Sequence, residues 1–345
     1  MNEKFNVIRD LDARVWNDFV CARGGHLLQT SAWGELKSRF GWRVERVALE
    51  RAGALVAGAQ MLTRDFPLGL KLAYVPRGPV INARDADAQK ILLDELGAIA
   101  RARGAFALKL EPNATSPLPI AFEERGLEPA RTLQPQTTIH VDLTRDLETI
   151  LAAMKPKWRY NIRLAEKKGV TVRGGDARDA DLFFNLLQIT SQRDGFAIHA
   201  RDYYRAALEL LSADAGAQLF IAEYAREPLA AIFVTAVGDE AIYLYGASSN
   251  AQRDKMPNHA LHWAAMQWAK TRGCARYDLW GIADTAWADV PVGTKNNSSL
   301  QHGLYQFKHG FGGEVVRYAG AYDFVFSRGK YFLYQRAVSL RRSII

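Results

Sequence analysis

Apolar and polar positions alternate along this chain in two rhythms, a strand period of two and a helix period between three and four. Residues 12–21 and 31–40 carry the helical spacing, and Ser31 is placed to cap the second helix. Alternation then predicts strands at 44–49, 55–63 and 70–75, followed by a Pro-Arg-Gly-Pro turn at 76–79. Ile91, Leu92, Leu96, Ile99 and Ala100 put a helix over 85–103, and a strand at 106–110 runs into Glu111-Pro112. Residues 137–143 alternate and read as the last strand of the first half.

The second half opens with helices at 147–154 and 157–168, broken by Pro156, and continues with helices at 179–192 and 201–212. Strands at 218–224, 229–237 and 241–245 precede a helix at 257–272, whose leading proline stands where a missing N–H costs nothing. Strands at 277–280, 314–318 and 322–325 close this half, and 330–341 is a basic helix with Phe332, Leu333, Val338 and Leu340 as its apolar residues. Between Gly281 and Ser299 a run of Asp, Asn, Gly and Ser reads as a mobile surface loop.

The halves repeat one another at an offset of 169 positions. Ala100–Gly104 heads the strand at 106–110 as Ala269–Gly273 heads the strand at 276–280, and Tyr74-Val75 falls on Tyr243-Leu244. Glycine suits the left-handed position that ends a helix, so Gly104 and Gly273 mark the same boundary twice. The order in both halves is helices, antiparallel strands, a helix ending at glycine, then a strand. This predicts two similar α/β domains in tandem, the usual division for 345 residues.

Composition changes this picture little: 48% hydrophobic and 24% charged residues describe an ordinary globular protein. The N-terminal stretch lacks the apolar core of a signal peptide, and no run approaches the roughly 20 apolar residues of a spanning helix. Cys21 and Cys274 form no metal or redox spacing, so a reducing cytoplasm is the expectation. The net charge of +8 favours an anionic partner, and the bases are unevenly spread.

The strongest charge feature is residues 155–169, where six bases face one acid, Glu166. Lys155, Arg159, Arg163 and Lys167 recur every fourth residue along one side of a helix, where like charges repel unless an anion intervenes. A solvated helix face and a phosphate or polynucleotide site both fit. In GLYQFKHGFGG, residues 303–313, Lys308 and His309 stand between Phe307 and Phe311 among glycines that allow close approach of a ligand. A lysine desolvated there is a candidate oxyanion stabiliser; a turn with a surface lysine is the plainer reading. Tyr243 and Tyr245, two apart on a strand, share a face and either pack in the core or line a polar ligand site. Glu111 is a helix-cap acid or a general base. His259 and His262 are three apart on a helix without a third ligand, so no metal is expected. Walker, G-x-G-x-x-G and G-x-S-x-G motifs are missing.

The α/β halves resemble acyltransferase domains of the GNAT type. Residues 252–264 and 82–91, where such domains grip the pyrophosphate of coenzyme A, have no glycine, which argues against coenzyme A as cofactor. Taken in order, LLQTSAWGELKSRFGW, PRGPV, KWRYNIRLAEKKGV, YLYGASS, NHALHWAAMQWAKTRGCARYDLWGI and GLYQFKHGFGG resemble the Fem family of tRNA-dependent aminoacyltransferases that build peptidoglycan cross-bridges. The resemblance spans nearly the whole chain and implies two GNAT-like domains without coenzyme A, at 1–145 (completed by a C-terminal helix at 319–345) and 146–318. There is no room for the helical arm some members carry, so it looks like the short type.

The resemblance further implies aminolysis of an aminoacyl-tRNA ester by an amine of the muropeptide stem on lipid II or its UDP-linked precursor. In that reading Lys308 stabilises the oxyanion, Glu111 accepts the proton, and Phe307 packs beside the terminal adenosine of the acceptor stem. Lys37 matches a phosphate ligand of the sugar nucleotide, and Tyr243 and Tyr245 match tyrosines of the substrate channel. Arg159 and Arg163 are the tRNA-binding candidates. Short members resemble H-R-x-x-x-Y with Arg and Tyr on the diphosphate; here Ala200 follows His199, leaving Arg201 one place late while Tyr204 keeps its spacing. The basic tail, Arg328, Lys330, Arg336, Arg341 and Arg342 beside Phe332 and Leu333, either docks on the first domain or, with a lipid-linked acceptor, touches the anionic inner membrane face, and a cytoplasmic monomer is expected. A coenzyme A-dependent N-acyltransferase, a Fem-like transferase acting on an exopolysaccharide precursor, and a non-catalytic RNA- or glycan-binding protein stand as alternatives.

Overall fold

The computed structural model describes residues 4–9, 11–115, 126–214, 216–283 and 298–342, with side chains of 214, 298–301 and 340–342 left aside. The central part of the loop read between Gly281 and Ser299, and the side chains of Leu340, Arg341 and Arg342, lie outside what is described. The chain divides into two compact units, 1–134 with 318–345, and 135–317.

The first unit runs β1 (Asn6–Ile8), α1 (Ala13–Ala22), α2 (Ser31–Arg39), β2 (Trp42–Arg51), β3 (Ala54–Phe66), β4 (Leu70–Pro76), β5 (Val80–Ile81), α3 (Ala86–Ala102), β6 (Ala107–Glu111) and β7 (Glu128–Ala130). The second runs β8 (Thr137–Asp142), α4 (Leu147–Ala153), α5 (Pro156–Lys167), β9 (Thr171–Gly175), α6 (Ala180–Asp194), α7 (Arg201–Asp214), β10 (Gln218–Tyr224), β11 (Glu227–Val237), β12 (Glu240–Ser248), α8 (Pro257–Thr271), β13 (Arg276–Asp278), α9 (Ser298–His309) and β14 (Glu314–Arg317). The chain then returns to the first unit as β15 (Ala321–Val325) and α10 (Arg328–Arg342).

The two sheets are ordered β1-β2-β3-β4-β6-β15-β7, with β5 on β3, and β14-β8-β13-β12-β11-β10-β9. Each holds one parallel pair in an otherwise antiparallel sheet: β4 with β6, and β12 with β13. Each parallel pair is joined through a helix, α3 or α8, as such a crossover requires. Both helices end before a left-handed glycine, Gly104 at φ +74° and Gly273 at φ +81°.

Cores follow the apolar stripes of these helices. Leu92, Leu96 and Ala100 of α3 pack on Val47, Met61, Val75 and Leu108, while Leu261, Ala265 and Met266 of α8 pack on Ile232, Val234 and Tyr277. Burial of each large side chain contributes about 1.5–3 kcal/mol.

Four expectations are corrected. The cap of α2 is Thr30, whose hydroxyl accepts from the Trp33 N–H at 3.3 Å, and not Ser31. Residues 137–142, read as the end of the first half, pair with β13 and β14 of the second sheet. Residues 322–325, which periodicity alone read as closing the second half, form a strand that pairs with β6 and β7 of the first, the unit to which the resemblance assigned 319–345 as a helix. The stretch around Lys308 is the last turn of a helix, not a glycine-rich turn with a surface lysine. No described helix is long and apolar enough to cross a membrane.

Candidate active site

In each unit part of the candidate set stands at the carboxyl end of the parallel strand pair, Glu111 in the first and Tyr243 with Lys308 in the second, where open α/β sheets present ligand sites. In the second unit the ladder between β12 and β13 stops at Ile242 opposite Asp278. Tyr243 stands just beyond on one strand, Trp280 and Gly281 beyond the other.

Lys308 reaches this point from α9. Its side chain is buried, and Nζ donates to the carbonyls of Trp280 at 3.1 Å and Gly281 at 2.7 Å, 5.5 Å from the centre of the Tyr243 ring. Burial lowers its pKa to about 7, against the pull of Asp278. An ammonium has three N–H donors, and these two bonds use two of them. In its protonated form the side chain therefore keeps one donor for an acceptor such as a developing oxyanion.

The three glycines after Lys308 serve the protein's own packing. A Cβ on Gly310 would come 2.1 Å from the Trp158 ring, and on Gly312 and Gly313 2.6 Å from the Ala153 and His140 carbonyls. They seat the end of α9 on α5, α4 and β8, where the sequence suggested approach of a ligand. Phe307 lies edge-on to His259, His262 and Phe311 at 5.3–5.5 Å. His262, whose Nδ1 lies 3.1 Å from the Tyr277 hydroxyl, is held down to about 3 by burial, Lys308 and His259.

The turn that offers its carbonyls to Lys308 depends on Asp278, which the sequence did not single out. Trp280 adopts φ +58°, unusual for a bulky residue, and its N–H donates to Asp278 Oδ1 at 2.7 Å. Thr138 donates to the same oxygen. Burial works against the charged form of Asp278, yet His140, Thr138 and the Trp280 N–H hold its pKa below the usual range. Nothing in YDLWG marked Asp278, because the left-handed turn at Trp280 is visible only in the structure. His140, Glu240 and Asp278 also bring ligand atoms within 4.8 Å of one another, with Arg276 on Glu240 at 2.8 Å balancing the charge.

Tyr243 and Tyr245 do not share a face. Tyr245 pairs with Phe233 and Tyr243 with Val234, leaving Leu244 as a bulge. Phe233 and Val234 are neighbours on β11 and so face opposite sides. Tyr243 meets His262 of α8 at 4.6 Å between ring centres, while the Tyr245 hydroxyl lies 3.2 Å from that of Tyr203 on α7. Burial pushes Tyr243 up to about 12 and also raises Tyr245. Tyr204 is buried beside Tyr245, its hydroxyl accepting from the His199 N–H at 3.2 Å. Arg201 is exposed, 3.5 Å from Asp181.

On α5 the basic residues separate by role. Arg159 donates to the Ala152 carbonyl at 3.0 Å and to that of Met154, closing the end of α4. Lys157, Tyr160, Arg163 and Lys167 form the exposed stripe.

In the first unit, Glu111 ends β6 beside Tyr74 of β4 and is buried. Its oxygens accept from the Tyr74 hydroxyl, the Leu133 N–H and the Gln134 N–H, the last at 3.1 and 3.3 Å. Burial raises its pKa and these donors oppose the rise. Glu111 caps no helix. Gln29 replaces ladder bonds where β3 and β4 part: Nε2 donates to the Pro76 carbonyl at 2.7 Å and Oε1 accepts from the Gln60 N–H at 2.7 Å. Lys37 lies 4.4 Å over the Trp33 ring, and burial with Arg64 nearby lowers it to about 8. A partly desolvated lysine beside a second, exposed cation favours an anion.

A model of the FemAB family matches residues 11–118, 118–226 and 210–338. The chain belongs to the FemAB family. Among curated relatives, the lipid II:glycine glycyltransferases of Staphylococcus aureus strains MRSA252 and USA300 are each 26% identical, over 90% of this chain and 91% of theirs. A crystal structure of FemX superposes with TM-score 0.85 at 24% identity, covering 95% of this chain and 99% of that one. A tandem GNAT protein from the clavulanic acid biosynthesis pathway superposes at 0.57 and 13% identity, covering 94% and 99%. The fold is thus the expected α/β tandem of GNAT-like domains.

Proposed function

We propose that the protein transfers an aminoacyl group from aminoacyl-tRNA to an amine of a peptidoglycan-precursor stem peptide, on lipid II or its UDP-linked form. The relatives' named activity supports a glycyltransferase-type reaction on such a precursor. The observation that carries the chemistry is Lys308, a buried amine with a pKa about 7, held by two carbonyls at the carboxyl end of the β12/β13 pair.

The neutral acceptor amine attacks the ester carbonyl, and a C–N bond forms as the negative charge moves to the carbonyl oxygen. Lys308 donates to that oxyanion. Collapse breaks the C–O bond, and the tRNA's ribose oxygen leaves with a proton equivalent to the one the amine lost. The saturated carboxylate of Glu111 supports a positioning role for residues 133–134, with the amine's proton passing to the substrate's own groups or water. Lys37 with Arg64 supports binding of the anionic carrier, and the exposed stripe of α5 supports contact with RNA phosphates. No residue is assigned to coenzyme A.

The test is reconstitution. Purified protein mixed with a panel of charged tRNAs and with UDP-muropeptide or lipid II is expected to give an acceptor heavier by one aminoacyl residue. Acyl transfer from acetyl-coenzyme A, with none from any charged tRNA, would overturn the reading.

A further inference from the structure

Helix α10 is packed on one face and bare on the other. Tyr331 and Tyr334 lie 6.2 and 5.1 Å from the Phe106 ring, and Phe66 lies 5.4 Å from Tyr334, in a cluster completed by Leu70 and Leu72. On the other side Phe332 and Leu333 are 57% and 52% exposed, and the Arg336 guanidinium lies 5.2 Å over the Phe332 ring.

The hairpin tip joining β3 to β4 has the same character. Leu68, 89% exposed, sits between Phe66 and Leu70, which both belong to the cluster under α10. It holds φ +63°, a left-handed conformation that leucine rarely takes. A strained, exposed leucine suggests a use beyond folding.

Charge says what could cover these side chains. From Arg328 to the chain end there are five basic and no acidic residues, and Lys330 and Arg336 are exposed. Apolar side chains among bases on one helix face match an interface of hydrocarbon under anionic headgroups. No described helix is apolar enough to cross it, so α10 would lie flat.

We propose that α10 and the β3–β4 tip seat the first unit on an anionic lipid bilayer. Phe332, Leu333 and Leu68 enter the interfacial layer, and Lys330 and Arg336 meet headgroup phosphates. The inference does not depend on the transfer reaction.

The experiment is co-sedimentation of the full chain with vesicles of phosphatidylcholine alone or mixed with phosphatidylglycerol. Binding is expected to the mixed vesicles only and to weaken with salt. Lys330→Gln with Arg336→Gln should lower partition about fivefold per charge removed. Phe332→Ser with Leu333→Ser should lower it at least tenfold. Leu68→Gly relieves the left-handed strain, so it should melt no lower than wild type while binding vesicles less. Equal binding to both vesicle types, or unchanged binding by all three folded variants, would overturn the proposal. So would self-association lost with Phe332→Ser and Leu333→Ser in a protein that ignores vesicles, which would give the face to a second copy.

Discussion

At the scale of single residues, Lys308 carries the argument. If its ammonium stabilises the oxyanion, Lys308→Met removes one donor that acts in the transition state. Turnover should then fall roughly a hundred- to thousandfold while binding of both substrates is kept, as measured by single-turnover kinetics. A folded variant with near-normal turnover would remove Lys308 from the mechanism. Its protonation also has a signature in stability. The folded state holds the pKa at about 7 against 10.5 for an ordinary lysine, so the unfolded chain binds more protons between those values. Wild-type stability therefore rises with pH across that window, and the penalty of a buried charge is greatest below it. Urea melts of Lys308→Met against wild type should favour the variant most below pH 7 and less toward pH 10.5. Glu111 separates positioning from proton transfer. In Glu111→Gln one oxygen becomes an N–H₂ that faces donors, which should cost about 1–3 kcal/mol in a denaturant melt. A positioning role predicts that KM suffers more than kcat; a loss confined to kcat would make Glu111 the base after all.

At the scale of elements, α5 shows how a charge run divides. Arg159 is spent on the carbonyls of Ala152 and Met154, so Arg159→Ala should chiefly lower stability, by about 1.5–3 kcal/mol. Arg163 and Lys167 are exposed, and replacing both by Ala should flatten the salt dependence of tRNA binding by about 0.7–0.9 for each phosphate left unneutralised. A slope unchanged in filter-binding titrations would take this helix out of any RNA site. Elements of this kind were legible in the sequence wherever period and punctuation agreed: α3 and α8 between their caps and glycines, and the hairpin strands beside them. What was not legible depends on packing between residues far apart along the chain. The bulge at Leu244 turns Tyr243 and Tyr245 to opposite faces, and strict alternation has no sign of it. The glycines after Lys308 looked like room for a ligand, but the room is filled by Trp158, Ala153 and His140. The helix around Lys308 was hidden because those glycines dominate the local pattern, and Asp278 because one acid in a strand says nothing until its neighbours are known.

At the scale of the whole chain, duplication is completed by a return. The first sheet takes its strand β15 from beyond the second unit, between β6 and β7. That strand brings Asp323, buried, to within 2.8 Å of Lys109 Nζ, itself buried on β6. Removing one partner of such a pair leaves an uncompensated charge and costs about 3–5 kcal/mol. The same segment supplies Tyr318, whose ring lies 3.7 Å from the guanidinium of buried Arg77. A chain ending at Arg317 would therefore lose more than an appendage. Strand β6 would become an open edge, Lys109 would lose its carboxylate partner, and the cluster of Phe66, Leu70 and Phe106 would lose its cover of Tyr331 and Tyr334. The second unit keeps all of its own strands in that truncation. Hydrogen exchange on the truncated chain should show β2, β3, β4 and β6 opening while β10–β13 keep their protection. A milder version, Asp323→Asn, should lower the melting of the first unit and leave the second unchanged. Protection of β6 retained after truncation would mean that the first unit is complete before Tyr318, and that the return strand is dispensable to the fold.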